Sequence, residues 1–178
     1  MLFPELGVKG LSGRLDARRG ALGDRVVAVK ALTSGKEQWI VWCGLNIEAQ
    51  ALMAALDGAV NVQGSDSYSE KVGAVKAFCD GAIRVLVTKP TILGFGMNFQ
   101  HCSRMVFCGL SDSYESYYQC VRRCWRYGQA RPVDAWLVVS EAERGIVRNV
   151  HAKELRAEAL SGMLLKHMST IERESLCA

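Results

Sequence analysis

From Trp39 onward, short apolar runs alternate with segments whose apolar residues recur at helical spacing. This alternation is typical of strands and helices that succeed one another along a chain and build a parallel sheet. The runs at 39–43, 59–62, 83–87, 104–108 and 133–139 are predicted as strands. We therefore predict an α/β fold with a parallel sheet of about five to six strands, flanked by helices.

Residues that commonly cap the N-termini of helices lie between these runs. The capping residues are Asn46, Ser67 with Glu70, Asp112 or Ser113, and Ser140 with Glu143. The first three predicted helices end at Leu56, near Cys79 and at Gly128, and the last continues into the tail. Residues 88–102 are predicted as a long irregular loop, because they contain Pro90, Gly94 and Gly96. Open parallel sheets keep their binding sites in loops of this kind.

The pattern divides the chain into three parts. Residues 1–36 form a basic lead-in that ends in a helix around the apolar patch at 26–32, and they carry Arg14, Arg18, Arg19, Arg25, Lys30 and Lys36. Residues 37–140 form the main domain, and residues 141–178 form a helical tail. Apolar residues at helical spacing over 152–168 lead us to expect that the tail docks on the core or on a partner lobe.

Composition limits the size of the core and the possible location of the protein but does not indicate a function. A chain of 178 residues with 49% hydrophobic content can bury one sizeable core. A net charge of +4 suits a protein that meets polyanions but does not decide the matter. Seven cysteines without a Cys-x-x-Cys pair, and no recognisable signal peptide, indicate reduced thiols and a cytoplasmic location, and we predict no metal site. No apolar run approaches the roughly 20 residues that cross a membrane, so we expect no membrane partner.

The predicted helix after Ser113 has an unusual polar face. At about 100° per residue, one face collects the residues predicted to be core: Tyr114, Tyr117, Tyr118, Val121, Cys124 and Trp125. A second face collects Gln119, Arg122, Arg123 and Arg126. Like charges this close repel one another unless an anion or carboxylates lie opposite, and guanidinium groups bind phosphate well. The alternative is an ordinary solvated basic face.

The order Gln119, Arg123, Arg126, Gly128, Gln129 and Arg131 resembles motif six of superfamily-two helicases, most closely the Swi/Snf-like and phage-type members. In that family, two arginines three apart reach ATP that is held by a partner lobe. The resemblance implies that Arg123 and Arg126 are catalytic arginine fingers and that Gln119 contacts the nucleotide. It gives no role to Arg122.

The resemblance extends backwards and covers about residues 37–140. Residues 39–46 are similar to motif four, and Thr88 followed by 94–99 is similar to motif five. It implies contacts to nucleic acid by Trp42, Gly64, Ser65, Thr88 and Lys89. It also implies that Gly94, Gly96 and Asn98 belong to the nucleotide site. The fold it implies is the second RecA-like lobe of a P-loop NTPase, without a phosphate-binding loop of its own.

Two features that a complete motor requires are not found in the sequence. Ser34, Gly35 and Lys36 resemble the end of a phosphate-binding loop, but Glu37 replaces the needed Ser or Thr. No Asp-Glu pair occurs to hold magnesium and activate water. We therefore expect ATP and Mg to be held mainly by an N-terminal RecA-like lobe, in cis or in trans, to which residues 1–36 would be a linker or tail.

These observations predict the C-terminal lobe of an ATP-dependent DNA helicase or translocase that is inactive alone, with RNA as the other candidate substrate. A second reading is a non-enzymatic relic that binds nucleic acid or a partner protein. A third is an oxidoreductase that binds a dinucleotide at Gly94 and Gly96. The third reading is weak, because the further glycine and the helix start of such a site are missing.

Overall fold

A computed structural model describes residues 16, 18–94 and 96–176, and the side chains of these residues apart from 142 and 164–176. Arg14, Phe95 and the side chains of the tail beyond 163 therefore lie outside the described part. The strands are β1 (Trp39–Cys43), β2 (Ala59–Val62), β3 (Val85–Thr88), β4 (Arg104–Cys108) and β5 (Asp134–Val138). They form one sheet in the order β2-β3-β1-β4-β5, and every pair is parallel. The predicted fold class is confirmed.

Helices connect the strands. They are α1 (Leu22–Leu32), α2 (Asn46–Ala55), α3 (Tyr68–Cys79), α4 (Pro90–Leu93), α5 (Tyr114–Cys124) and α6 (Arg144–Leu176), and a 3₁₀ turn at Glu141–Glu143 precedes α6. Ser67 caps α3 as predicted, with Glu70 N donating to its hydroxyl, and Ser113 caps α5 through Ser116 N. The predicted irregular loop contains α4, because Pro90 occupies the first helical position, where its fixed φ fits and no N–H is needed.

Two apolar layers cover the two faces of the sheet. One layer contains Trp42, Phe78, Phe99 and Phe107, and the other contains Val41, Leu52 and Val106 with α1 and α2 packed over them. Val26 and Val29 of α1 are buried in the second layer. Part of the segment 1–36 therefore belongs to the core, although the division at 36 and 140 as a whole stays a prediction.

The predicted core face of α5 is partly wrong. Trp125 is 54% exposed and Tyr118 is also exposed, whereas Cys120, which the predicted core face does not include, is fully buried. Trp125 departs from the prediction because α5 ends at Cys124 rather than at Gly128, so Trp125 leaves the helical spacing. Within α5 the buried residues are Cys120, Arg123 and Cys124, so the face that packs on the core is rotated away from Tyr118. The chain then turns through Gly128, whose φ of +92° suits glycine.

The tail helix α6 docks through its first turns. Ile146 and Val150 are buried in the first apolar layer, and Lys153 Nζ donates to the Asp112 carbonyl. Leu155, Leu160 and Met163 are exposed, so within the described side chains the predicted docking region 152–168 contributes little to the core. Among the described residues, no helix is both long and apolar enough to cross a membrane.

Candidate functional site

Arg123 joins α5 to the loop that follows α4. Its Nε donates to the Gln119 carbonyl at 3.0 Å, its Nη2 to Gln119 Oε1 at 2.9 Å, and its Nη1 to the Met97 carbonyl at 3.2 Å. The backbone adds a further link, because Phe99 N donates to the Arg123 carbonyl at 2.8 Å. With only 7% of Arg123 exposed, its guanidinium is held within the protein, and three of its five N–H donors are engaged.

Arg126 has a different environment although it lies three residues further on. It is exposed, and its side chain makes no hydrogen bond or ion pair within the described residues. Arg122 is also exposed, and its guanidinium lies over the rings of Trp125 and Tyr118 at 5.2 and 5.9 Å. Such stacking is a normal use of arginine and leaves its charge intact.

The charge of this helix end is not balanced by acidic groups. In the part of the chain that the structure describes, no carboxylate lies within 4.0 Å of Arg122, Arg123 or Arg126. Burial lowers the pKa of Arg123, and the positive charges of Arg126 and Arg122 lower it further. Arginine remains protonated despite such shifts, so the end of α5 presents uncompensated positive charge to an anion.

The loop after α4 owes its shape to two glycines. A Cβ on Gly94 would lie 2.1 Å from the Pro90 carbonyl oxygen, so only glycine allows this close approach. Gly96 has a φ of +78°, which other residues adopt at a cost. Asn98 is exposed, and its Oδ1 accepts from Gln100 N at 3.2 Å. Gly96 and Asn98 flank Met97, whose carbonyl Arg123 binds, so the structure brings the predicted nucleotide-site residues together.

The turn after α5 is fastened to the segment before β4. Gln129 Nε2 donates to the Cys102 carbonyl at 3.2 Å, and the Arg131 guanidinium donates to the His101 carbonyl. Asp134 N then bonds to Ser103 O at 2.8 Å as β5 begins. Gln129 and Arg131, which carry part of the motif-six resemblance, therefore hold the end of α5 in place.

The residues predicted to contact nucleic acid gather at the carboxyl edge of the sheet. Lys89 follows β3, and its ammonium donates to Asn46 Oδ1 at the start of α2. Gly64 and Ser65 follow the neighbouring strand β2 and are exposed. Lys71 Nζ donates to the Gly64 carbonyl at 2.9 Å, which places another cation beside this turn. Helix α5 begins near this edge and is 11 residues long. Its C-terminal end, where the arginines lie, is therefore about 15 Å along the helix axis from its first residue.

Two of these predicted contacts do not fit the side-chain positions. Thr88 is fully buried, and its hydroxyl donates to the Val62 carbonyl at 3.0 Å, so it is not presented to a phosphate. Trp42 is 1% exposed, so neither ring face is open to a base on the surface. Both residues lie in paired central strands, where Trp42 and Thr88 are opposite each other in the ladder, and the layer of side chains above the sheet covers them.

Sequence reasoning missed a buried cluster of charges at the same edge. Glu48 is fully buried, and its carboxylate accepts from Arg18 Nη2 at 2.8 Å, from Arg25 Nη1 at 2.9 Å, and from Gly44 N and Leu45 N at 2.9 Å each. Glu143, also buried, lies 3.7 Å from Arg18 Nε. Burial alone would raise the pKa of Glu48, but the hydrogen bond and charge of Arg18 outweigh it and hold the pKa below its usual range.

Comparison with known proteins identifies the family. Residues 24–128, more than half of the chain, match the family described as helicase conserved C-terminal domain. No curated protein sequence gives a significant match.

Solved structures show the same fold. The C-terminal part of the Fun30 ATPase domain superposes with a TM-score of 0.59 at 16% identity, covering 84% of this chain and 48% of that one. The C-terminal domain of the DEAD-box protein Dbp5 gives 0.64 at 17% identity, with coverages of 74% and 78%. A DEAD-box protein from Methanococcus jannaschii gives 0.63 at 20% identity, with coverages of 74% and 37%.

This chain thus spans about half the length of the Fun30 structure and most of the isolated Dbp5 domain. Its five-stranded parallel sheet flanked by helices is the architecture of RecA-like C-terminal helicase domains. The chain belongs to the helicase conserved C-terminal domain family and has the fold of the second lobe of superfamily-two helicases.

Proposed function

We propose that this chain is the second lobe of an ATP-dependent DNA helicase or translocase, and that Arg126 is its arginine finger. The observation that carries the proposal is Arg126, which lies just beyond the end of α5, three residues after the anchored Arg123, and which is exposed and has no partner among the described residues. A guanidinium that reaches across to ATP held by another lobe needs a side chain that is free to extend, and within the described residues no contact holds the Arg126 side chain back. Such a group stabilises the charge that develops on the phosphoryl oxygens during transfer.

Arg123 has a second part in this proposal. Its side chain already binds the Met97 carbonyl and Gln119, so it acts as a positioning residue that fixes α5 against the loop at 94–99. Arg123 has two N–H donors left, so a catalytic contact would need little or no release of these bonds. Gln119, Gly94, Gly96 and Asn98 would then shape the side of the nucleotide site that this lobe contributes.

ATP and Mg would be held mainly by a first lobe. Within the described residues, no group of three His, Cys, Asp or Glu side chains could hold a metal ion, and the arginine end of α5 has no carboxylate beside it. The donors present therefore fit phosphate oxygens rather than the cation. Mg supplies charge neutralisation on the phosphates when it is bound. The residues of this chain supply the guanidinium and its alignment.

Nucleic acid would lie across the carboxyl edge of the sheet. Lys89, Gly64 and Ser65 come from adjacent strand ends and offer one ammonium group together with an exposed turn. These are backbone-type contacts, which carry no base sequence information. The Thr88 hydroxyl would join them only if its bond to Val62 opened. Dbp5 from S. cerevisiae has a structure bound to RNA, so RNA is the natural competitor for DNA in binding tests.

The first experiment compares the chain alone with the chain joined to a first lobe. The chain alone should hydrolyse no ATP, with or without DNA, and turnover by the purified chain would overturn the requirement for a first lobe. In the two-lobed protein, Arg126→Ala should keep ATP binding and lower kcat by about 10³ or more.

The matched control is Arg148→Ala, which removes an exposed arginine from α6 and should leave kcat unchanged. Hydrolysis that survives Arg126→Ala would contradict the arginine-finger assignment. Salt-sensitive DNA binding by a two-lobed protein that never hydrolyses ATP would instead support the non-enzymatic binding module.

A further inference from the structure

A group of exposed aromatic and basic side chains follows α5 and continues past its end. Its members are Tyr118, Arg122, Trp125 and Tyr127, and we call them the α5 strip. Trp125 is 54% exposed and Tyr127 is fully exposed. Trp125 is also the only exposed one of the four tryptophans in the chain. Large aromatic rings usually bury most of their surface, so neighbouring rings that stay in solvent are typical of a binding surface.

Arg122 connects two rings of the α5 strip. Its guanidinium carbon lies 5.2 Å from the centroid of the Trp125 ring and 5.9 Å from that of Tyr118. The Tyr114 ring follows, with its centroid 5.7 Å from that of Tyr118. A guanidinium over a ring keeps its charge, and the N–H donors of Arg122 make no hydrogen bond to any described residue. The strip therefore combines an exposed ring with donors that can bind an anion.

The α5 strip lies where positive charge is not compensated. Arg122, Arg123 and Arg126 are close in sequence, and none has a carboxylate within 4.0 Å in the described ranges. A protein that docked here would have to match the rings with apolar groups and the charge with acidic groups. A nucleic acid supplies both matches, because each nucleotide carries a phosphate and a base with a π face. Charge complementarity therefore favours nucleic acid as the occupant.

The exposed rings favour an unpaired strand over a duplex. In a duplex, the neighbouring base pairs cover both faces of each base, whereas a single strand can turn a base onto a protein ring. Aromatic platforms accept any base, and an arginine binds a phosphate whatever base it carries. Binding of this kind would not depend on the base sequence.

We propose that the α5 strip binds single-stranded nucleic acid, with bases stacked on Trp125 and Tyr127 and a phosphate on Arg122. The proposal goes beyond the proposed function, whose strand contact lies at the carboxyl edge of the sheet, near the other end of α5. It requires neither an arginine finger at Arg126 nor a contact at Lys89. The strip would give this lobe a second contact with a strand.

The test measures binding of the full 178-residue chain to dye-labelled oligothymidylate at several salt concentrations. Trp125→Ala removes a stacking platform, so it should lower the affinity about tenfold at each salt concentration and leave the salt dependence unchanged. Trp125→Phe keeps an aromatic ring and should stay within about threefold of the native chain. Arg122→Ala removes a phosphate contact and should reduce the slope of log affinity against log salt by about 0.7.

Two controls match these variants in exposure. Leu155→Ala removes a side chain of α6 that is 53% exposed, and Arg148→Ala removes an exposed arginine of the same helix. Neither should change the affinity or the slope. Circular dichroism and a urea midpoint establish that each variant is folded.

Tryptophan fluorescence reports the base contact directly. Because Trp125 is the only exposed tryptophan, stacking of a base should quench the part of the emission that iodide can also quench. An abasic strand of equal length and charge should bind more weakly and leave this emission unquenched. Equal affinity and equal emission with both strands would overturn the base contact.

The outcomes also separate the α5 strip from the proposed function. Affinity that Lys89→Ala lowers, but that Trp125→Ala and Arg122→Ala leave unchanged, would overturn the strip and leave the carboxyl-edge contact standing. The reverse result would support the strip and overturn the edge contact, and no binding by the native chain would overturn both. If Trp125→Ala raised only the KM for ATP of the two-lobed protein, the strip would belong to the contact with the first lobe, and the strand proposal would be wrong.

Discussion

Two groups of arginines in this domain differ in what neutralises them. Arg18 and Arg25 are buried and share the carboxylate of Glu48, with Glu143 close by. Arg123 and Arg126 lie at the end of α5, where no described carboxylate is within 4.0 Å. The charge of the first group is matched by these buried carboxylates, whereas the second group has charge to offer an external anion. The sequence shows only that arginines are present. Whether an arginine is neutralised inside the fold or remains able to bind an anion depends on the acidic groups beside it in the structure.

Arg123 is held in place differently from Arg18 and Arg25. Arg123 makes its hydrogen bonds to a carbonyl and an amide, which hold it without cancelling its charge. Glu48 both holds and neutralises Arg18 and Arg25. A protein that must keep a cation in place for a phosphate therefore gains from anchoring it through neutral acceptors.

The largest expected effect comes from removing the shared carboxylate. Glu48→Ala leaves two buried guanidinium groups without their main partner, and it should lower the free energy of unfolding by about 3–5 kcal/mol. Urea denaturation of the isolated chain measures this change. Glu158→Ala removes an exposed glutamate from α6 and should change stability by less than about 0.5 kcal/mol. Equal effects would show that the cluster does not stabilise the domain.

A smaller effect should distinguish Arg123 from Arg126 in the same denaturation assay. Arg123→Ala removes the bonds to Met97 and Gln119 and should cost about 1.5–3 kcal/mol. Arg126→Ala removes an exposed side chain that has no partner among the described residues, and it should cost less than about 0.5 kcal/mol. The assignment of Arg123 as an anchor and Arg126 as a free group would be wrong if the two variants were equally stable.

Acid should weaken the buried cluster and leave the arginine end of α5 unaffected. The folded pKa of Glu48 lies below its ordinary value, so its contribution is present above the unfolded pKa of about 4.3 and is lost as pH falls through the folded pKa. The stability difference between the native chain and Glu48→Gln should therefore narrow below about pH 4.3. A difference that stays constant from pH 7 into that range would contradict an ionised, paired Glu48.

The smallest effect is expected at Arg122. Arg122→Ala removes its exposed contacts with the Trp125 and Tyr118 rings, which contribute roughly 0.5–1 kcal/mol, and it also relieves repulsion by the neighbouring arginines. The net change in stability should be close to zero, as for Arg156→Ala on the exposed surface of α6. A loss above about 2 kcal/mol would reveal a structural role comparable to that of Arg123.

Much of the fold could be predicted because its strands are strongly patterned. β1, β2 and β4 have the predicted bounds, and β1 is buried at every position, as a central parallel strand should be. β3 begins later than predicted, at Val85, and includes Thr88, because that residue pairs with both Trp42 and Val62. From sequence alone, a polar residue that follows an apolar run is predicted to start a loop, because its pairing with neighbouring strands is not visible.

The site could be predicted only in outline. Spacing proposes Arg123 and Arg126 as site residues, and that assignment stays a prediction. The assumption that α5 continues to Gly128 misplaced Trp125, and the predicted core face also left out Cys120, which lies inside α5 and is buried. Periodicity also cannot distinguish an arginine side chain that is hydrogen-bonded to a backbone carbonyl, such as Arg123, from one that makes no such bond, such as Arg126. The cluster around Glu48 could not be predicted from local sequence patterns, because its members are distant from one another in the sequence. The one local signal was a glutamate at the third position of α2, where its carboxylate can bind the free N–H groups before the helix.

The contacts of Arg18 bear on how the domain forms during synthesis. Arg18 donates to the Leu110 carbonyl across 92 residues of sequence. At ribosomal rates of about 5–20 residues per second, that acceptor emerges roughly 5–20 s after Arg18 does. The central strand β1 likewise waits for β3 and β4, which are both made later. The nascent chain therefore keeps a basic segment and an apolar strand unpaired for seconds, and an exposed apolar strand of this kind is prone to aggregate until its partners emerge.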